Sequence, residues 1–408
     1  MSSVLDRFIR YIQIPSQALP GTEKVPSTPG QMTLAQLLGE ELKQLGLDAV
    51  EVDEHAYVTA RLPSNTERKV PTVAFLAHLD TATEVTDDTV RPRLVENYDG
   101  CDIVLNEKDG VVLSPSVFPD LLKYRGETLV VTDATTLLGA DDKAGIAEIM
   151  AALEYMTANP EFLHGDILVG FTPDEEIGHG ASLLDLEKFD ADLAYNIDGG
   201  AVGEISYENF NAAKAKIVIH GRSVHPGKSK DKMVNSILLG MELARMFPPE
   251  ETPSHTEKYE GFFHILGFSG NVETTEMNYI IRDHSAEKFA ERKKAMESAV
   301  ETINNKYGKG RAELEMSDQY YNMLDKIKPQ MHIVETALEA MRQVGIEPQI
   351  IPVRGGTDGA QLSFRGLLTP NIFAGGHNAH GKHEFISVQS MEKAVEVILK
   401  ITELYAEK

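Results

Sequence analysis

Five short segments of this sequence concentrate acidic and histidine side chains: His78-Leu79-Asp80, Gly139-Ala140-Asp141-Asp142-Lys143-Ala144-Gly145, Thr172-Pro173-Asp174-Glu175-Glu176, Asp198-Gly199-Gly200 and His377-Asn378-Ala379-His380. Gathering Asp80, Asp141, Glu175, Glu176 and Asp198 in one place would be strongly repulsive unless protons or cations neutralised them. Two divalent ions meet that requirement. Imidazole nitrogen with carboxylate oxygen is the ligand mixture that zinc takes in catalytic sites, which keep a position open for water. A two-metal site roughly 3.5–4 Å across needs one bridging carboxylate and about two further ligands per ion. The inventory fits two Zn2+ ions, with His78 and Asp198 on one, Glu176 and His380 on the other, and Asp141 as the bridge. Asp80, two residues past His78, would fix a ligand imidazole and its tautomer. Glu175 is left without a metal role, and an unligated carboxylate there can take a proton from water and return it to a leaving amine. The chemistry implied is metal-assisted amide hydrolysis.

Taken singly, each motif has an ordinary reading. His78-x-Asp80 is a pattern that chance supplies, Asp141-Asp142 would favour any helix N-terminus, and Asp-Glu-Glu is usually a solvated turn. Asp198-Gly-Gly can be a turn alone, and His377, His380 and His383 can be surface histidines. What joins four of them is placement. TVAFLA runs into His78, DILVGF into Glu175 and Glu176, LAYNI into Asp198, and NIFAGG into His380. Each run is short, apolar and without alternation, as for strands buried on both faces of a mostly parallel sheet. In such sheets ligands bind beyond the carboxyl ends of the strands, so the four groups can share one edge.

The elements around these runs fit that placement. Up to residue 207, strand-length apolar runs alternate with helical segments such as QMTLAQLLGEELKQLG and KAGIAEIMAALEYMT, which predicts a layered α/β domain with helices on both faces of a mixed, mostly parallel sheet. Residues 208–320 read strand, helix, strand, strand, helix, strand, the order of a split βαβ unit and hence a small inserted α+β domain. Residues 321–408 resume the first pattern, so 1–207 and 321–408 are expected to form one catalytic domain.

Composition narrows the class further. Lys plus Arg is 39 against 63 for Asp plus Glu, a formal charge of −24, which disfavours nucleic acid as a partner. No run approaches the roughly 18 uninterrupted apolar residues of a membrane span, and the opening MSSVLDRFIRYIQIPSQALP lacks the apolar core of a secretory signal. A cytoplasmic protein without a membrane partner is expected. Cys101 is the single cysteine, so neither a disulfide framework nor a multi-cysteine zinc site can form. The oligomeric state is not set by sequence, a homodimer being compatible with it.

The motifs AHLDT, LLGADDKAGIAEI, FTPDEEIGHGA, YNIDGG and NAHGKHEF resemble, in order and spacing, those of the co-catalytic zinc peptidases of the aminoacylase and carboxypeptidase group. Through ENFNAA, GRSVHPG, YEGF, IIRD, YYNM and RGGTDGAQLSF the resemblance covers essentially the whole length and is to the tripeptide aminopeptidases of that group. It implies His78, Asp141, Glu176, Asp198 and His380 as metal ligands, Glu175 as general base, Asp80 as orienter, and a cis peptide between Asp141 and Asp142. It also implies that 208–320 is a lid whose His225, in SVHPG, polarises the scissile carbonyl; by itself His225 would read as a turn histidine beside Pro226. Short peptides, chiefly tripeptides, are the expected substrates. Arg282 and Arg354 are candidates for the distal carboxylate, which a guanidinium fork binds bidentately, although either could equally serve a structural ion pair. Asp174 and Glu208 are options for the substrate ammonium. Cys101 in VENYDGCD and His377-Asn-Ala before His380 depart from the pattern expected of relatives and touch no proposed ligand. Two other readings stay open: an acylase or carboxypeptidase with the same metal centre, and a noncatalytic metal- or peptide-binding protein.

Overall fold

The computed structural model describes residues 4–407, so residues 1–3 and 408 of the expected outer domain lie outside the described residues. The chain divides into two compact units. The first comprises the residues up to Tyr207, then Lys326–Ile351 and everything from Thr357; the second comprises Glu208–Asp325 with Pro352–Gly356.

The first unit is built on an eight-stranded sheet in the order Asp48–Val52, Val58–Leu62, Ile167–Thr172, Val73–His78, Leu193–Gly199, Asn371–Phe373, Glu204–Ser206, Gln349–Ile350. Its four central strands run parallel, while antiparallel pairs flank them. Val73–His78 and Ile167–Thr172 are buried at every position, which explains why their sequences carry no alternation. One face packs Ala74, Leu76 and Ala194 against Leu362 of the helix Asp358–Arg365. On the other face Tyr195 stacks on Phe75 and donates to the Ile333 carbonyl at 2.7 Å.

The helix Ala140–Ala158 packs against Val73–His78 and Leu193–Gly199, and both Val4–Ile12 and Val388–Glu407 pack against that helix in turn. Its close approach to the sheet depends on Gly145, where a Cβ would stand 2.0 Å from the Ile197 carbonyl oxygen. A second, small antiparallel sheet joins Gly376–His377, Phe385–Ser387, Leu129–Val131 and Arg93–Val95. Strands of two or three residues carry no readable period, so this sheet is not visible in the sequence.

In the second unit the strands Phe262–Gly270, Thr274–Asp283, Asn211–His220 and Ala312–Tyr320 form an antiparallel sheet in that order. Ala213, Ala215, Ile217 and Ile219 point to the buried face and pack with Leu239, Leu243, Met296 and Ile303 of the helices Ser236–Ala244 and Ala286–Tyr307. Each helix has a side-chain cap: Asn235 accepts from the Ile237 N–H at 3.0 Å, Ser285 from the Lys288 N–H at 3.2 Å. The unit extends past 320 because Asn322 N–H donates to Asn211 Oδ1 at 3.0 Å, and it takes in 352–356 because Val353 N–H donates to the Glu208 carbonyl at 2.9 Å.

Candidate two-metal centre

The four parallel strands deliver their side chains to one edge. Val73–His78 ends in His78, and the register pairs His78 with Thr172, directly before the turn holding Glu175 and Glu176. Asp198 lies within the end of Leu193–Gly199. Asp141 opens the helix Ala140–Ala158, where its peptide bond to Asp142 is cis. His380, at φ 64, follows the short strand Gly376–His377. Asp174 anchors the glutamate turn from below: fully buried, it accepts from Ser27 N–H at 2.7 Å, Gln31 Nε2 at 2.6 Å and the Ser27 hydroxyl. That excludes Asp174 as a partner for a substrate ammonium.

Two groups of donors result, and Asp141 belongs to both. His78 Nε2 is 2.9 Å from Asp141 Oδ1 and 3.6 Å from Asp198 Oδ1. His380 Nε2 is 3.4 Å from Asp141 Oδ2 and 3.2 Å from Glu176 Oε2. Ligands bound at about 2.0–2.1 Å to a tetrahedral ion stand roughly 3.3 Å apart, the spacing that these pairs bracket. Glu176 Oε1 is buried with no hydrogen-bond partner, an orphaned acceptor that a cation would satisfy. Each group can therefore hold a metal ion by its donor types and by its spacing.

The electrostatics point the same way. Burial opposes a charge on His78, yet hydrogen bonds to Asp141, Asp198 and Asp80 hold its pKa well above the ordinary imidazole value. His380 is pushed up to about 11 by its hydrogen bonds to Asp141 and Glu176. Glu176 is pushed up to about 7 by burial, and burial also raises Asp198 and Glu175. The carboxylates hold protons on the histidines and on one another: the pocket draws in positive charge.

Asp80 is fully buried and does more than face an imidazole. His78 Nδ1 lies 3.0 Å from the Asp80 carbonyl and 3.4 Å from its Oδ1, while the carboxylate accepts the N–H groups of Glu175 at 2.9 Å and Glu176 at 3.0 Å. Glu175 belongs to neither ligand group. Three further acids support the site in ways that the sequence does not show. Asp142 Oδ2 accepts the His78 N–H at 3.1 Å. Asp358, raised to about 6 by burial, accepts from the Thr172 hydroxyl at 2.6 Å and the Ala181 N–H at 2.7 Å. Glu384 accepts from the loop leading to Asp141. The available signal for Glu384 was an acid immediately before an apolar strand, four residues after His380.

The remaining candidates lie in the second unit. His225 is exposed, and its Nδ1 accepts the Gly227 N–H at 3.2 Å. Arg282 is buried; its Nη1 donates to the carbonyls of Ala213 at 3.1 Å and Ile281 at 3.0 Å, and its guanidinium lies over the Tyr320 ring. Arg354 donates to the carbonyls of Lys258, Glu260 and Thr256 and to the Thr256 hydroxyl, stacked on Phe210 and Phe262. Both arginines are engaged within their own unit. Glu208 shares side-chain hydrogen bonds with Asn322 and Tyr259.

Residues 139–404 match the family described as peptidase family M20/M25/M40. The sequence is 57% identical over 408 residues, covering 100% of both chains, to peptidase T of Caldanaerobacter subterraneus subsp. tengcongensis. It is 56% identical over 406 residues, again 100% of both, to peptidase T of Clostridium novyi. In three dimensions it is similar to the crystal structure of aminopeptidase PepT from Bacillus cereus, with a TM-score of 0.79 and 25% identity over 100% of this chain and 99% of that one.

Proposed function

Because this chain belongs to peptidase family M20/M25/M40, we propose that it is a zinc-dependent tripeptide aminopeptidase, releasing the N-terminal residue from short peptides. The observation that carries the reading is Asp141, one oxygen turned to His78 and the other to His380, with Glu175 beside this pair of groups but outside both. The full-length likeness to proteins named peptidase T supports the choice of substrate.

His78, Asp141 and Asp198 would hold one ion, and Asp141, Glu176 and His380 the other. Bound there, two zinc ions supply Lewis acidity toward the substrate carbonyl and lower the pKa of water. Glu175 takes the proton of the attacking water and delivers it to the nitrogen of the departing dipeptide. Asp80 keeps Glu175 in place through its backbone N–H and keeps His78 in one tautomer through Nδ1. His225 is proposed for the carbonyl oxygen, and Arg282 and Arg354 for the distal carboxylate, on the chemistry of imidazole and guanidinium; each arginine would then exchange a carbonyl partner for substrate. Cytoplasmic residence is in keeping with the exposed free thiol of Cys101, and a homodimer is the proposed assembly.

The test is hydrolysis of Ala-Ala-Ala beside the dipeptide, the tetrapeptide and the N-acetylated tripeptide, each with and without chelator. Chelator-sensitive release of alanine from the free tripeptide alone is expected. Cleavage of the blocked peptide would move the assignment to an acylase or carboxypeptidase, and no cleavage by metal-loaded protein would leave a binding protein.

A further inference from the structure

We propose that Glu384 is a positioning residue that fixes the spacing between Asp141 and His380, and through it the affinity of the centre for the ion shared by Asp141, Glu176 and His380. The inference rests on the two-metal reading above.

Glu384 is 2% exposed. Its Oε2 accepts the N–H groups of Leu138 and Gly139, each at 2.7 Å, and its Oε1 accepts that of Asp141 at 3.1 Å. The backbone is left-handed at Gly139 and non-helical at Asp141 and Asp142, so these N–H groups find no partner in a regular helical turn and a residue remote in sequence provides for them. Glu384 also closes the turn after His380, its N–H donating to the Gly381 carbonyl at 3.2 Å. It directly precedes Phe385–Ser387, which pairs with Leu129–Val131. The segments leading to Asp141 and around His380 are thus joined twice, by strand pairing and by this carboxylate.

The two ions should not depend on Glu384 equally. His78 and Asp198 stand at the ends of paired sheet strands, whereas Glu176 and His380 stand on turns. A carboxylate is required because both oxygens accept. Glutamine can keep one carbonyl oxygen on Leu138 and Gly139, but it then turns its NH2 group toward the Asp141 N–H.

The test is a cobalt(II) titration of metal-free wild type, Glu384→Gln and Glu384→Ala, followed by calorimetry and visible absorption. Wild type is expected to take two ions per chain. In Glu384→Ala one ion stays tight while the other weakens by about 10- to 100-fold, as losses of outer-shell partners do, with a changed absorption spectrum. Glu384→Gln should fall between the two, and it decides the matter if the alanine variant does not fold. Wild-type affinity for both ions in either folded variant, or equal weakening of both ions in Glu384→Gln, overturns the proposal. Wild type that binds fewer than two ions overturns the two-metal reading itself, and that outcome is visible before any variant is compared.

Discussion

Asp80 accepts the backbone N–H of Glu175 at 2.9 Å, across 95 residues of sequence. The same residue offers its carbonyl to His78 Nδ1 at 3.0 Å, so one aspartate ties the orientation of an imidazole to the height of the adjacent glutamate turn. Side chains held in this way need little reorganisation when charge develops beside them.

Glu175 is expected to matter for turnover alone. Glu175→Ala should retain the metal content and thermal unfolding of wild type and lose about 10²–10⁴-fold in kcat, the usual contribution of a positioned base. Near-normal kcat in a metal-loaded Glu175→Ala protein would remove it from the mechanism.

Metal content should respond unequally to ligand loss. His78→Ala takes a donor from one group and is expected to lower bound zinc by about one ion per chain, whereas Asp141→Ala takes a donor from both and should lower it further. Elemental analysis after desalting reads this directly; unchanged stoichiometry in both variants would refute the ligand assignment.

Asp174 should be a stability residue. Replacing it with alanine leaves the donors on Ser27 and Gln31 without their buried acceptor, which is expected to cost about 2–4 kcal/mol. Urea unfolding of the metal-free protein is the measurement, and a loss below about 1 kcal/mol would contradict the prediction.

His377 should make the fold acid-sensitive. Burial pulls its imidazole down to about 4, against about 6.5 for an unfolded histidine. Between these values the unfolded chain binds the extra proton, so stability is fully present above about pH 6.5 and falls as pH drops toward 4, by at most about 1.4 kcal/mol per unit. His377→Phe can keep the stacking on Phe385 and loses the Tyr124 contact at every pH. The stability gap between wild type and variant should therefore shrink between pH 7.5 and pH 5, and a constant gap would count against the assignment.

The central sheet was legible because four doubly buried strands spell out uninterrupted apolar runs, and the chemistry follows their ends. The small sheet through Leu129–Val131 and Phe385–Ser387 was not legible, since pairing over two or three residues leaves no period to read. The first helix of 208–320 begins at Ser236, a boundary that the order of elements does not give, because Asn235 turns its side chain into a cap. Sequence showed Arg282 and Arg354 as fork-shaped cations but could not show that backbone carbonyls occupy them. For Asp80 it offered an imidazole partner two residues away and hid the two N–H groups that its carboxylate accepts. Local spacing brings out clusters of possible donors; long-range acceptors such as Asp174 and Glu384 emerge only once the chain has folded.

The helix that opens with Asp141 is covered by Val4–Ile12 on one flank and by Val388–Glu407 on another. A ribosome therefore delivers the walls of this centre in instalments. The first flank exists before the helix is made, but the other waits until after the whole of Glu208–Asp325 has emerged, a stretch whose own strands are contiguous and can pair in the meantime. His380 arrives only just ahead of the last covering helix. From Asp198 onward the nascent chain carries the acids of the centre without the shell that orders them, so a chain halted just before Val388 has every proposed ligand, His380 included, and no finished site.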